Sequence, residues 1–287
     1  MNIQWYPGHM TKTRRQMEAD LKHVDIVVEL VDARIPISSR NPDIDAICGD
    51  KPRIVMLNRA DQADPQMNRV WADYFNKTRK IPAAAVDSRA GTGVGQMAAL
   101  ARNALKEQLA KWKERGQVGR PIRAMVVGVP NVGKSTFINK VAKRKSAKTG
   151  DRPGVTRGKQ WVSVDSGLEL LDTPGILWPK FEDETIGLHL AFTGAVKDEV
   201  TDLEGLACAL LELLRARYPQ AIQDRYKLTE LDGRQGWELL EDCARKRGMR
   251  ISGGELDTER MAKLLLDEFR SGKLGRFTLE VPEDIKP

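Results

Sequence analysis

Cysteine and long hydrophobic runs are both scarce in this sequence, and each shortage excludes a class of protein. The 287 residues include three cysteines, Cys48, Cys208 and Cys243, which lie far apart without a paired spacing. This arrangement argues against a disulfide framework and against a zinc site. No stretch approaches the roughly 20 apolar residues of a membrane-spanning helix, and the first residues lack the apolar core of a secretory signal. We therefore expect a cytoplasmic protein with no membrane partner.

Positive charge is in excess. Lysine and arginine total 47 against 40 aspartate and glutamate residues, so the formal net charge is +7. An excess of this kind favours an anionic partner larger than a nucleotide, and RNA is the natural candidate. Residues 9–23 are basic and suited to a helix, which is either a solvated face or a nucleic-acid contact. The length and the 41% hydrophobic content are sufficient for two domains.

One stretch, from Gly128 to Ser135, fits the phosphate-binding pattern G-x-x-x-x-G-K-[ST] at every fixed position. An apolar run at 122–127 precedes it and a segment suited to a helix follows, which is the context that this motif requires. Lys134 would supply charge to the outer phosphates, and the Ser135 hydroxyl would bind Mg²⁺. The predicted phosphate-binding residues are Asn131, Val132, Gly133, Lys134, Ser135 and Thr136.

Strands and helices alternate before this loop. Apolar runs at 24–31, 53–57 and 81–86 read as buried parallel strands, with helical segments at 66–75 and 94–115 among them. This alternation predicts an α/β fold with a mostly parallel sheet. Ligands bind such sheets at the carboxyl ends of the strands, where polar residues follow each run.

The polar residues after the second strand resemble a guanine-recognition motif. Asn58-Arg59-Ala60-Asp61 matches the Asn-Lys-x-Asp motif of GTPases except at Arg59, whose stem could still pack on the base. The Asp61 carboxylate can accept from N1–H and the exocyclic amine of guanine, and Asn58 can donate to O6. Adenine offers neither feature. The alternative is a polar loop whose Asn and Asp cap a helix. Ser88 and Arg89, after the third strand, resemble the last GTPase motif, whose backbone touches the base edge.

Two further motifs follow the phosphate-binding loop. Thr156, in a basic loop punctuated by glycine and proline, falls where GTPases place the switch threonine that closes on Mg²⁺. Strands at 160–164 and 168–171 form a predicted hairpin. Asp172-Thr173-Pro174-Gly175 then matches Asp-x-x-Gly, in which Asp172 holds the Mg²⁺ shell and the Gly175 amide senses the third phosphate. A generic Asp-Pro-Gly turn is the alternative for this motif.

The order of these motifs is unusual. A conventional GTPase carries the phosphate-binding loop first and the two base motifs last, whereas here the base motifs come first. The sequence therefore predicts a circularly permuted G domain. The chain leaves this domain directly after Gly175, so we expect the following residues to move with the nucleotide state. The expected strand order across the sheet is 160–164, 168–171, 122–127, 24–31, 53–57 and 81–86.

The chain as a whole resembles the circularly permuted ribosome biogenesis GTPases that mature the large ribosomal subunit. The resemblance lies in residues 5–10, 32–36 and 269–276 together with the five motifs. It implies Mg²⁺-dependent GTP hydrolysis that is promoted by K⁺ and by the maturing subunit, and it implies that Asn131 ligates K⁺. It also supplies His9 as the catalytic group, since Ile176 stands where many GTPases carry a water-orienting glutamine.

The C-terminal part has the pattern of a small helical bundle. Leucines recur at helical spacing over 203–217, 237–246 and 258–270, and Asp257 precedes the last of these segments. We expect a G domain over 1–180 and a helical ribosome- and RNA-binding domain over 190–287. Its basic residues are either a solvated face or a contact for ribosomal RNA phosphates. They are Arg245, Lys246, Arg247, Arg250, Arg270, Lys273 and Arg276.

These features predict a monomeric GTPase that binds GTP and a late precursor of the large ribosomal subunit and is released after hydrolysis. One alternative function is an RNA-binding scaffold that holds guanine nucleotide without turnover. Ile176 and Arg59, which depart from the usual GTPase motifs, are compatible with this alternative. A second alternative, an adenine-nucleotide enzyme, is opposed by Asp61.

Overall fold

A six-stranded sheet organises the N-terminal two thirds of the molecule. The computed structural model describes residues 10–142, 160–164, 167–175, 177–178, 183–198 and 201–284. The strands are β1 (Ile26–Asp32), β2 (Arg53–Asn58), β3 (Ala83–Ala85), β4 (Ile122–Val127), β5 (Gln160–Val164) and β6 (Leu168–Asp172). The helices around them are α1 (Met10–Leu21), α2 (Ile44–Cys48), α3 (Pro65–Asp73), α4 (Gln96–Ala104), α5 (Lys106–Glu114) and α6 (Lys134–Val141).

The order of the strands across the sheet is β3-β2-β1-β4-β6-β5, which confirms the order predicted from the motifs. All neighbouring pairs are parallel except β5 and β6, which form an antiparallel hairpin. The carboxyl ends of β1, β2, β3, β4 and β6 therefore meet at one edge of the sheet. Each predicted motif that the structure describes lies at or directly after the end of one of these strands.

Side chains of β1 alternate between the two faces of the sheet. Ile26, Val28 and Leu30 belong to a large core cluster that also includes residues of α4, α5 and α6. Val27 and Val31 belong to separate clusters on the opposite face, which α1, α2 and α3 cover. A strand that is buried on both faces reads as a continuous apolar run, which is why the sequence revealed it.

The segment predicted as one helix over 94–115 is two helices, α4 and α5, with a break at Leu105. Met97, Ala101, Leu105 and Trp112 are nevertheless all buried in the same core cluster. Periodicity alone did not reveal the break, because apolar residues continue at helical spacing through it.

The C-terminal part contains α7 (Glu184–Phe192), α8 (Leu203–Arg217), α9 (Pro219–Tyr226), α10 (Gly236–Lys246) and α11 (Thr258–Ser271). The three predicted helices correspond to α8, α10 and α11, and the Asp257 side chain caps α11 by accepting from Arg260 N. Helix α9, which begins directly after Tyr218 with Pro219 at its first position, was not predicted from the sequence. Among the described residues, no helix is long and apolar enough to cross a membrane.

Residues 274–280, here called the C-terminal segment, return to the sheet. Phe277 N donates to Gln62 O at 3.0 Å, and Leu279 N donates to Arg34 O at 2.7 Å. The Glu280 carboxylate accepts from two backbone N–H groups of the loop after β1, at 2.7 and 3.0 Å. Consequently the C-terminal segment is bonded to the loops that follow β1 and β2.

Candidate functional site

The loop between β4 and α6 has the backbone of an anion-binding loop. Asn131 and Gly133 have positive φ values of 58° and 99°, and Gly133 is the N-cap of α6. The first N–H groups of a helix have no acceptor within it, and here they belong to Lys134, Ser135 and Thr136. Such N–H groups, together with the helix dipole, favour a phosphate at this end. Val132 is buried beneath the loop.

Lys134 is folded back onto its own loop. Its Nζ donates to Gly128 O at 3.0 Å and to Val129 O at 2.9 Å, and the side chain is 8% exposed. Burial lowers the pKa of Lys134 to about 8, and the nearby Asp172 carboxylate only partly opposes this shift. Because a bound phosphate favours the charged ammonium, nucleotide binding should raise this pKa again.

This shift predicts proton uptake on binding. Near pH 8 about half of the Lys134 side chains are neutral without nucleotide, since the pKa is about 8. Binding of GDP at that pH should therefore take up about half a proton, and less at pH 7. Calorimetry in two buffers of different ionisation enthalpy measures this uptake. The exposed Lys77→Met variant should behave as the wild type, whereas a binding enthalpy independent of the buffer would contradict the prediction.

Ser135 and Asp172 bring two oxygen ligands together. The Ser135 hydroxyl lies 3.4 Å from Asp172 Oδ2, and the Asp172 side chain is buried at the end of β6. Mg²⁺ prefers oxygen ligands and usually takes few of them from the protein. A hydroxyl and a carboxylate at this separation fit that ion. Thr156, the third predicted ligand, lies outside the described residues.

Asn58 joins three loops. Its Nδ2 donates to Val132 O at 2.8 Å, and its Oδ1 accepts from the Ser88 hydroxyl at 2.6 Å. Asn58 and Ser88 are both 3% exposed. A Cβ on Gly133 would approach the Asn58 amide nitrogen to 2.6 Å, so this position of the phosphate-binding loop requires glycine. Asn58 was predicted from the sequence to contact the base, but its connection of the loops after β2, β3 and β4 was not predicted.

Arg59 lies against the phosphate-binding loop. Its Nη2 donates to Asn131 O at 2.8 Å, and its Nε lies 3.7 Å from Asp32 Oδ2. Its backbone has a positive φ of 61°. Burial, followed by the nearby Arg34 guanidinium, lowers the pKa of Arg59 to about 10. The arginine that replaces the usual lysine thus links the guanine motif to Asn131.

Asp61 lies at the same edge of the sheet, partly buried, and its backbone carbonyl accepts from Arg276 Nε at 2.8 Å. The alternative reading assigned Asn58 and Asp61 to helix capping. The helix that follows, α3, is instead capped by Asp64, whose carboxylate accepts from the N–H groups of the second and third helical residues. Asp61 is therefore not needed as a cap, and its role as the guanine acceptor stays a prediction.

The loop after β3 carries Ser88 and Arg89. Ser88 is buried against Asn58, whereas Arg89 is exposed. The Arg89 carbonyl accepts from Lys140 Nζ of α6 at 3.0 Å. Both predicted residues therefore lie beside the phosphate-binding loop and its helix, and their contact with the base edge stays a prediction.

Gly175 lies against the phosphate-binding loop. A Cβ at this position would be 2.7 Å from Pro130 Cα and 2.9 Å from Lys134 Nζ. Pro130 backbone cannot yield as a flexible side chain would, so glycine is required here for steric reasons. The predicted sensor of the third phosphate is therefore in direct contact with the loop that is predicted to hold it. His9 and Ile176, which bear on catalysis, lie outside the described residues.

A buried ion pair at the end of β1 was not predicted from the sequence. Arg34 donates to both oxygens of Asp32, at 2.9 and 2.7 Å, and each residue is at most 3% exposed. Burial alone would raise the pKa of Asp32, but the charges of Arg34 and Arg59 and the hydrogen bonds from Arg34 together outweigh it and lower that pKa. The signal in the sequence was an aspartate and an arginine two residues apart at the end of a buried strand.

Comparison with known proteins agrees with this geometry. A family model described as a 50S ribosome-binding GTPase matches residues 123–227. The protein named ribosome biogenesis GTPase A from Priestia megaterium is 50% identical over 285 residues, which span 99% of this chain and 98% of that relative. The chain belongs to the ribosome biogenesis GTPase A family.

Solved structures support the same membership in the ribosome biogenesis GTPase A family. The GDP-bound structure of TM YlqF has a TM-score of 0.68 and 30% identity, covering 94% of this chain and 100% of that one. GNP-bound YlqF from T. maritima has a TM-score of 0.65 and 30% identity, covering 96% of this chain and all of that one. The circularly permuted GTPase fold predicted from the motif order is thereby confirmed.

Proposed function

We propose that this chain hydrolyses GTP in assembly of the large ribosomal subunit and uses the nucleotide to control its attachment to a late precursor of that subunit. The observation that carries the proposal is the contact of all four described motif loops at one edge of the sheet. Asn58 bonds to Val132 and Ser88, and Gly175 lies against Pro130. The role in ribosome assembly is supported by the names of the relatives.

The proposed reaction needs Mg²⁺, for which Ser135 and Asp172 supply the described ligands and Thr156 the third. When bound, this ion neutralises charge that develops on the phosphates. Lys134 would leave its loop carbonyls for the outer phosphates, and Asp61 would hold the guanine edge. K⁺ would be bound by the amide oxygen of Asn131, because a neutral carbonyl oxygen suits an alkali cation.

For catalysis we propose His9, on the resemblance of residues 5–10 to the family. Since Ile176 carries no group that can orient water, the group that does so must come from another segment. A His9→Ala variant should lose turnover much more than GTP affinity. Equal losses in the two quantities would indicate a structural role instead.

The division into a G domain over 1–180 and a helical ribosome- and RNA-binding domain over 190–287 also stays a proposal, as does the monomeric state. Leu177 and Trp178, directly after the Gly175 switch, are buried in the core cluster that includes Leu206 and Leu210 of α8. Movement of the switch would therefore act on the helices through this shared core. This route supports control of subunit binding by the nucleotide.

The test is multiple-turnover GTP hydrolysis with and without purified large ribosomal subunits, in KCl and again in NaCl. We expect strong stimulation by the subunits, greater in KCl. No turnover under any condition, despite tight GTP binding, would favour a scaffold that holds guanine nucleotide without using it.

A further inference from the structure

The Asn131 side chain contacts a turn from the C-terminal part of the chain. Its Nδ2 donates to Gly194 O at 2.7 Å. Only the nitrogen of an amide can donate to a carbonyl, so this bond fixes which edge of the amide faces Gly194. The oxygen lies on the other edge of the amide.

The turn that supplies this carbonyl follows α7, and Arg270 of α11 holds it. Arg270 Nε and Nη2 donate to Phe192 O and Ala191 O at 3.1 and 2.8 Å. Two further bonds of 2.7 Å join the guanidinium to the Asp198 carboxylate. Arg270 therefore bonds to both ends of the turn, on the two sides of Gly194.

The conformation of the turn also depends on this arrangement. Gly194 has a positive φ of 76°, and a Cβ there would approach Arg270 Nε to 3.4 Å. The Arg270 side chain is only 18% exposed, and its Nε and both terminal nitrogens donate within the protein. From the sequence, Arg270 was grouped with cations that either face solvent or contact RNA. Its hydrogen bonds show instead that Arg270 holds the turn at 191–198.

We propose that Arg270 is a positioning residue for the phosphate-binding loop: it fixes the turn at 191–198 so that Gly194 O orients the Asn131 amide with its oxygen toward bound K⁺. The inference rests on the proposed function, in which Asn131 ligates that ion. It makes the end of α11 part of the machinery that sets the response to K⁺. The helical part of the chain thereby influences the nucleotide site through one defined bond.

The test uses the full chain and a non-hydrolysable GTP analogue, whose affinity is measured by fluorescence as KCl replaces NaCl at constant ionic strength. Arg270→Lys keeps the charge but cannot make the forked set of bonds. We expect the K⁺ concentration at half-maximal effect to rise about fivefold, the typical effect of one hydrogen bond. GDP affinity in NaCl should change much less than this midpoint, and hydrogen exchange of residues 191–198 should become faster.

Arg260→Lys is the matched control, because Arg260 is an exposed cation on the same helix. It should reproduce the wild-type midpoint and exchange. Asp198→Asn weakens the hold on the turn while leaving Arg270 in place, and it should raise the midpoint in the same direction. Asp198→Asn also keeps the proposal testable if Arg270→Lys destabilises the fold and lowers the melting temperature.

The possible failures are distinguishable. If K⁺ has no effect on analogue binding by the wild type, K⁺ binding at Asn131 is wrong and the positioning proposal fails with it. If K⁺ strengthens binding and Asn131→Ala abolishes the effect, the ion site stands. An unchanged midpoint in both Arg270→Lys and Asp198→Asn would then overturn the positioning role alone.

Discussion

Replacement of Asp61 by asparagine should reverse the base preference of the protein. The carboxylate is expected to accept from N1–H and from the exocyclic amine of guanine. In Asp61→Asn the amide nitrogen would face that amine, and two donors would oppose each other. Xanthine carries a carbonyl at this position, which accepts from the new amide. We expect GDP affinity to fall at least 100-fold, since sites built on such hydrogen bonds discriminate by about 10⁴ or more.

Competition of GDP and XDP against a fluorescent nucleotide measures this change. The matched control is Asp73→Asn on α3, whose carboxylate is exposed and, within the part of the chain that the structure describes, pairs with a neighbouring surface lysine. It should leave both affinities unchanged. A loss of GDP affinity in Asp61→Asn without a gain for XDP, accompanied by a lower melting temperature, would show that Asp61 is structural.

Gly175→Ala should separate binding from hydrolysis. The new methyl would lie 2.7 Å from Pro130 Cα and 2.8 Å from Pro130 N, so the loop of Gly175 or the phosphate-binding loop must shift. The Gly175 amide is predicted to contact the third phosphate, which GDP lacks. We expect kcat for GTP to fall about 100-fold or more, the typical effect of losing one such donor. GDP affinity should change far less than the affinity for a non-hydrolysable GTP analogue.

Gly95→Ala is the matched control, because Gly95 has open space where a Cβ would stand. It should keep wild-type turnover and binding. Equal losses of GDP and analogue affinity in Gly175→Ala would indicate general damage to the phosphate-binding loop. Unchanged turnover would mean that Gly175 does not act on the third phosphate.

Much of the fold could be read from the sequence because its signals are local. Buried strands such as β1 appear as continuous apolar runs, and the motif after each strand identifies which edge of the sheet it occupies. The strand order then followed from the permuted order of the motifs. The phosphate-binding loop could also be recognised from the sequence, since Gly133 and Lys134 stand at fixed positions of the G-x-x-x-x-G-K-[ST] pattern.

What escaped prediction depends on contacts between distant residues. The bond from Asn131 to Gly194 spans 63 residues, and that from the Ile37 N–H to Glu280 spans 243. Neither partner carries a local pattern that identifies the other. The same limit applies to Arg270. Its charge suggested a contact with RNA, whereas in the structure its side chain holds a turn through hydrogen bonds. Long-range hydrogen bonds of this kind become visible only once the chain is folded.

The central claim is that the nucleotide controls attachment to the large ribosomal subunit. The most direct measurement is cosedimentation of the chain with large-subunit precursor particles, in the presence of a non-hydrolysable GTP analogue or of GDP. We predict that the chain pellets with the particles in the analogue and stays in the supernatant in GDP. Equal pelleting in the two nucleotides, or pelleting in neither, would contradict the account.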